Sequence, residues 1–515
     1  MKRTLALATT LLAALTLSAR LNAQQHTRYK LIDLGTLGGP NSSVPIVFYE
    51  INGTVGAQAI NSQGTVIAVA DTSTLDPLCF LDDCFYPGTL EYRNGAFTDL
   101  SALPGGQGSS PNWINDNGAI AGVSLNGQTD SILGLPAIHA VAWRSQAITD
   151  LGTLSGGSIS AGWAINNRGQ VVGFSTNGIA DRFSYYYLQI LGSVGGTQTR
   201  AFIWDNQNGM QDLGTLGGPD SWAGQINNKG QVTGISYTSD IANADNATCF
   251  PGTPTQDPFF WDRGTGMIDI GSFGGTCGVT NALNSRGQVV GQSYLLGNAI
   301  AHAFLWDKNA NPQLLDLGTL GGDNAAGTWI NDAGEVVGYA DVPNVPSCSG
   351  LLCVHHGFLW KNGVMTDLGS IGTDPCSRAF SINSSGQIVG ASAAICGGNL
   401  THGFLWEQSG PAVDLNTLVA PGSGLSLIAP ISINNRGEIA GYGMLANGDS
   451  HAFVLIPCDE STAGCATNGT STTAPGPGNS TLTMEQRLAV RRMMAGPRTR
   501  LQQRYHIPSL MTPKN

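Results

Sequence analysis

The chain has 515 residues and a formal net charge of −11. Seven bases and one acid follow Ser480, and three bases precede residue 24, so residues 24–480 carry 14 bases against 34 acids. A body this acidic excludes a nucleic-acid partner, whose phosphates need Lys and Arg. Charged residues are only 11% and glycine occupies 70 positions, against about 25% charged in an average domain. Val, Ile, Thr, Phe and Trp come in short bursts between Gly, Asn, Asp and Ser, which is all-β composition.

Residues 1–23 read as a secretory signal peptide: Lys2 and Arg3, an apolar run from Leu5 to Leu17, and a cleavage point at Ala23-Gln24. No later stretch reaches about 18 uninterrupted apolar residues, so no transmembrane segment is expected after cleavage. The expected location is extracellular or periplasmic.

Three motif series then recur, each with eight members. Asp-Leu or Asp-Ile stands at Asp33, Asp99, Asp150, Asp212, Asp269, Asp316, Asp367 and Asp414. Asn61, Asn115, Asn166, Asn227, Asn284, Asn331, Asn383 and Asn434 are each followed three residues later by Gly. The third series ends in Tyr92, Trp143, Trp204, Trp261, Trp306, Trp360, Trp406 and Leu455, with His four residues earlier at 139, 302, 356, 402 and 451. In the sixth unit Gly327–Ile330 and Glu335–Tyr339 are the first two strands, joined by an Asn-x-x-Gly hairpin turn, since Asn tolerates and Gly supplies positive φ. His356–Trp360 is the third strand, Asn362-Gly363 turns the chain, and Val364–Leu368 is the fourth.

Four antiparallel strands repeating about every 50 residues predict a β-propeller of about eight four-stranded blades over residues 24–457. The array starts with a lone strand, Tyr29–Leu34, and ends with another, His451–Ile456. Their pairing completes the eighth blade and removes the exposed edges. A β-solenoid and two smaller propellers are the alternatives. Residues 458–481 read as a disulfide clasp and a flexible Gly/Ser/Thr/Pro linker. Residues 482–515 form a basic tail with a short helix near Met484–Ala495.

Ten cysteines fall into near neighbours, Cys79/Cys84, Cys249/Cys277, Cys348/Cys353, Cys376/Cys396 and Cys458/Cys465. In an oxidising compartment these are five local disulfides. The C-x4-C spacing does not match paired zinc ligands.

The motifs Asp-Leu-Gly-Thr-Leu-Gly-Gly, Ile-Asn-x-x-Gly-x-Val-Val-Gly and His-Ala-Phe-Leu-Trp resemble the bacterial extracellular HAF repeat family. Its eponymous triplet stands at His302–Phe304 and His451–Phe453. The resemblance covers residues 29–457 and implies an extracellular protein with no assigned catalytic residue. Units one and two depart most, with Tyr92 for Trp and Leu103-Pro104-Gly105-Gly106 for Thr-Leu-Gly-Gly.

The repeated His is the natural metal candidate. Gly88, Arg200 and Asp257 take its slot in other units, so no uniform ligand ring exists and neither metal nor cofactor is expected. Each His is read as bonding neighbouring backbone, and each Asp as capping backbone at a strand end. Asp240, Asn243 and Asp245 do not match a full calcium loop. The insertions Asp71–Leu90, Ser175–Thr199, Ser236–Asp257 and Ala340–His355 all follow the second strand and share one face. One carries Tyr185, Tyr186 and Tyr187, expected as an exposed ligand-binding cluster for a glycan or an extracellular protein; the competing reading packs them on their own blade. The chain is then a monomeric secreted or cell-surface binding scaffold. An extracellular hydrolase or lyase is the second reading, using Asp82, Asp83, Asp181 or Asp245. A structural surface protein is the third.

Overall fold

The computed structural model describes residues 27–458, less 46, 50–52, 56, 78–83, 191–194, 244–248, 250–251, 344–352 and 408–409, together with Cys465 and Thr472–Thr473. The signal segment and the basic tail helix lie outside the described residues.

The repeat folds into eight β-sheet blades. In blade 6 the strands are Ala325–Ile330, Val336–Asp341, His355–Lys361 and Val364–Asp367, each antiparallel to the next. Blades 2, 3 and 7 have the same strand order, and blades 4 and 5 share one bridge between Gln256 and Cys277. Blade 8 takes Leu425–Ile433, Ile439–Leu445 and Ser450–Pro457 from the C-terminal end and Tyr29–Asp33 from the N-terminal end. Tyr29 faces Pro457 and Asp33 faces Phe453 in antiparallel register. The ladder continues outside the strands, where Cys458 donates its N–H to Arg28 O at 2.8 Å. One apolar cluster mixes Ile32 with Ala68 of blade 1, Phe380 of blade 7 and Ala440 of blade 8.

The third-strand aromatics form the layers between blades. Phe202, Phe259, Phe304, Phe358, Phe404 and Phe453 have no exposed surface. Each such burial stabilises by roughly 1.5–3 kcal/mol. The Gly of Val-Val-Gly is the counterpart of that ring. A Cβ at Gly338 would stand 1.9 Å from Ala326 O and 2.9 Å from Phe358 Cε1, and Gly291 meets Val279 O and Phe304 in the same way. Only hydrogen fits between the first-strand carbonyl and the ring.

Three features differ from the expectation. Blade 1 splits its inner strand: Gly38–Ser43 pairs with Val66–Leu75, and so does Ile60. Between them a hairpin, Val47–Tyr49 with Gly53–Val55, reaches the inner strand of blade 6 on the far side of the ring. Helical turns also occur, a π-helix at Tyr185–Ile190 and a 3₁₀ turn at Leu415–Thr417. Finally, Thr472–Thr473, read as flexible linker, adds in parallel beside Ile32 and Asp33.

Candidate functional site

The Asn-x-x-Gly turns build one face of the ring, here the turn face. Each Asn side chain works inward and sideways. Asn331 Oδ1 accepts the N–H groups of Ala333 and Glu335 at 3.0 Å, so it organises its own turn. Its Nδ2 donates to Asn383 O of the next blade at 3.2 Å. The same sideways bond runs from Asn61 to Asn115, on to Asn166, Asn227, Asn284, Asn331, Asn383 and Asn434, and from Asn434 back to Asn61. Where the residue after the Asn is Asp or Asn, it adds a second link between blades: Asp116 accepts from Ser62 N, Asn167 from Asp116 N, and Asp332 from Ser285 N.

Inside this ring lies a cavity of about 310 Å³ on the propeller axis, lined by residues of all eight blades. Trp113 of blade 2 and Trp329 of blade 6 meet across it, ring centroids 5.9 Å apart and 25° from parallel. These blades are four apart in a ring of eight, so the indoles span the channel.

The His and Asp series meet on the opposite face, here the loop face. His139, His302, His356 and His451 place Nδ1 2.8–3.0 Å from the carboxylates of Asp150, Asp316, Asp367 and Asp33. The expectation that these His bond backbone is therefore corrected: antiparallel register sets the fourth-strand Asp opposite the residue two positions after the His, Asp316 opposite Phe304 and Asp367 opposite Phe358, so His and Asp meet as diagonal neighbours on one side of the sheet. The Asp role stands, since Asp316 Oδ1 also accepts Gly318 N at 2.8 Å. Burial would raise the carboxyls of Asp150, Asp316 and Asp367, but the His bond, the Gly N–H and the imidazole charge hold all three below the usual range. In blade 3 Arg200 pairs with Asp212 at 3.0 Å, and in blade 7 His402 turns to Asp374 at 2.8 Å.

Blade 4 breaks the pattern. Asp257 takes the His slot facing Asp269. Burial and then the Asp269 charge push its carboxyl up to about 7, and its buried Oδ1 has no partner among the described residues. No group of three His, Cys, Asp or Glu able to hold a metal ion occurs among the described residues.

Between the second and third strands the loop face is irregular. Tyr187 is fully buried and Tyr186 nearly so, while Tyr185 is half-buried. The expected exposure of this cluster is corrected for Tyr186 and Tyr187. The π-helix rolls them onto the blades: Tyr187 donates its O–H to Asp130 Oδ1 at 2.7 Å, and Tyr185 packs edge-on to Trp222 with centroids 4.9 Å apart. Asp220 anchors this turn by accepting the backbone N–H groups of Tyr185 and Thr199. Burial and the neighbouring Asp181 carboxylate keep Asp220 well above the usual carboxyl range. Of the carboxylates offered for catalysis, Asp181 belongs to this buried pair, and Asp82, Asp83 and Asp245 lie outside the described residues. In the calcium candidate Asn243 bonds Thr255 Oγ1 at 2.8 Å.

Cys249–Cys277, Cys376–Cys396 and Cys458–Cys465 are bonded as expected. Cys84 and Cys353 are bonded too, and their expected partners Cys79 and Cys348 lie outside the described residues. The first of these bridges ties the insertion of blade 4 to the inner strand of blade 5.

Sequence reasoning missed where exposed apolar surface collects. Ile132, Ile179, Ile241, Leu296, Ile395 and Met444 are all exposed, Leu296 at 87% and Ile395 at 73%. All six lie in or beside connections from second to third strands, in blades 2, 3, 4, 5, 7 and 8. No local signal singled them out, since the same connections carry other large apolar residues, such as Leu133 and Leu135 in blade 2 and Leu188 and Ile190 in blade 3. Among the described residues no helix is long and apolar enough to cross a membrane.

No protein-family model and no curated protein matches the chain. Among solved structures it is similar to the β-propeller domain of the trilobed protease from Pyrococcus furiosus, at 11% identity and a TM-score of 0.38, covering 72% of this chain and 97% of that one. It is similar to a puromycin-hydrolysing peptidase of Mycobacterium tuberculosis at 10% identity and a TM-score of 0.41, covering 80% of this chain and 62% of the peptidase. A polysaccharide lyase matches at 8% identity and a TM-score of 0.34, covering 85% of this chain and 93% of the lyase.

Proposed function

We propose that this chain is an extracellular binding scaffold that docks a protein partner through its loop face. The observation that carries the reading is the set of six exposed apolar side chains in or beside second-to-third-strand connections, one in each of six blades. Large apolar side chains gathered on one face of a protein mark interaction surfaces. The turn face has no comparable collection; among the described residues its one such side chain is Val364, at the start of the fourth strand of blade 6. The excess of acids over bases in residues 24–480 selects a partner whose apolar patch is fringed by Lys and Arg. Disulfides that pin the insertions support an oxidising, extracytoplasmic setting.

The test is binding of the full mature chain to arrays of extracellular proteins and of glycans. A protein hit is expected, lost in the triple variant Ile179→Asp, Ile241→Asp, Leu296→Asp and kept in the turn-face control Val364→Asp. Glycan-only hits, hits indifferent to the triple variant, or no hit on either array overturn the reading.

A further inference from the structure

We infer that the axial cavity on the turn face is a separate binding site for one small, neutral, polyhydroxylated molecule of the size of a sugar residue. The inference does not rest on loop-face docking, since the two sites are on opposite faces.

The cavity holds polar groups that the fold does not use. Ser381 and Ser432 are 3% and 4% exposed, and neither hydroxyl has a hydrogen-bond partner among the described residues, although both line the cavity. The side-chain amide of Gln58 and the indole N–H groups of Trp113 and Trp329 are likewise without a protein partner there. The contrast is Gln225, which sits at the position of the two indoles in blade 4. It spends its amide on its neighbour, donating to Asn281 O at 2.7 Å and accepting from Leu283 N at 2.9 Å. Five polar groups without a protein partner among the described residues therefore border one space and are open to whatever enters it.

The chemistry of the lining selects the class. Amide, hydroxyl and indole N–H groups offer donors and acceptors together, which suits hydroxyls that do both. The paired indoles provide an aromatic floor. An apolar ligand would strand the polar groups, and leaving them unpaired costs about 1–3 kcal/mol each. An anion is rejected because Asp116 and Asp332 stand opposite one another on the rim. A volume of about 310 Å³ is at the small end of ligand pockets, roughly 300–1,000 Å³, so one residue or the terminal residue of a chain fits. A polyol offers the same donors and acceptors as water and so displaces it at low cost.

The experiment titrates the full chain with a panel of neutral probes: glucose, galactose, mannose, N-acetylglucosamine, their β-linked disaccharides and myo-inositol. Calorimetry reads binding, and indole fluorescence reports on Trp113 and Trp329. At least one probe is expected to bind one-to-one. Ser432→Ala, Gln58→Leu and Trp329→Phe should each weaken it about fivefold, the loss of one neutral hydrogen bond. The loop-face triple variant should bind it unchanged. Circular dichroism of each variant separates lost binding from lost fold, and Ser432→Ala is the mildest change should Trp329→Phe not fold. No binding by any probe up to its solubility, binding indifferent to all three cavity variants, or binding lost with the loop-face triple overturns the inference.

Discussion

Asn434 donates its side-chain N–H to the carbonyl of Asn61 at 2.9 Å, across 373 residues of sequence. It is one link in a circuit of eight equivalent bonds, and it joins blade 8 to blade 1. Each Asn also holds its own turn, so one side chain serves both the blade and the ring.

Asn434→Ala is expected to destabilise the protein by about 3 kcal/mol. It takes one of two donors from the Asn61 carbonyl, which keeps Gly64 N at 3.1 Å, and removes the acceptor for Arg436 N and Glu438 N, both at 3.0 Å; each buried group left unpaired costs about 1–3 kcal/mol. Chemical denaturation of wild type and variant at neutral pH measures it. A change under about 0.5 kcal/mol, the usual range for surface substitutions, would show that the circuit is dispensable.

The glycines separate into two kinds. Gly338→Ala forces a methyl against Ala326 O and Phe358 and should cost about 3 kcal/mol or more. Gly363 has φ of +83° and open space around it, so Gly363→Ala meets only backbone strain of about 1–2 kcal/mol. Thermal melts of the two variants side by side should rank them in that order.

Asp257 predicts a pH signature. Its carboxyl is raised from the ordinary 3.8 to about 7. A raised carboxyl favours folding while protonated, and that contribution is lost as pH rises from about 4 through about 7. Asp257→Asn should therefore match wild type below pH ~4 and exceed it by up to a few kcal/mol above pH ~7. Asp257→His should restore the pairing found in four other blades and likewise stabilise. Melting temperatures across this window decide it, and a pH-independent difference would refute the assignment. Asp150, Asp316 and Asp367 run the other way, with their contribution present above pH ~4 and lost as acid carries them through lowered pKa values.

The bridge Cys249–Cys277 closes a segment of 28 residues. Chain-entropy arguments give such a loop about 3.5 kcal/mol. Replacing both cysteines by Ser should lower stability by that order, read by denaturation without reductant. The same change should weaken loop-face binding, because it frees the connection that carries Ile241.

Much of the architecture was legible in the chain. The eight-member Asn and Trp series disclosed the blade number, and the strands of blade 6 fall within two residues of their expected limits. What stayed hidden depends on juxtaposition. The His–Asp pairs require the register between third and fourth strands, which motif spacing does not contain. Tyr185–Tyr187 read as exposed because an insertion is usually solvated, yet the π-helix turns two of the rings inward. Trp113 and Trp329 stand two residues before an Asn in blades 2 and 6, and nothing local says that these two blades oppose each other. The axial site is visible only after the circle is drawn.

The borrowed strand carries a consequence for how the molecule is assembled. Asp33 and its partner His451 are 418 residues apart, so the last blade waits for almost the entire polypeptide. Seven blades can zip from local hairpins, whereas the final seam demands the longest loop closure in the molecule, and such non-local pairing is slow. Until then two unpaired strand edges remain open to other chains, the setting in which neighbouring copies exchange segments. Moving residues 27–34 to follow residue 457 would turn that seam into a hairpin. Such a permuted chain should refold faster and aggregate less than the native order, while presenting the same two faces.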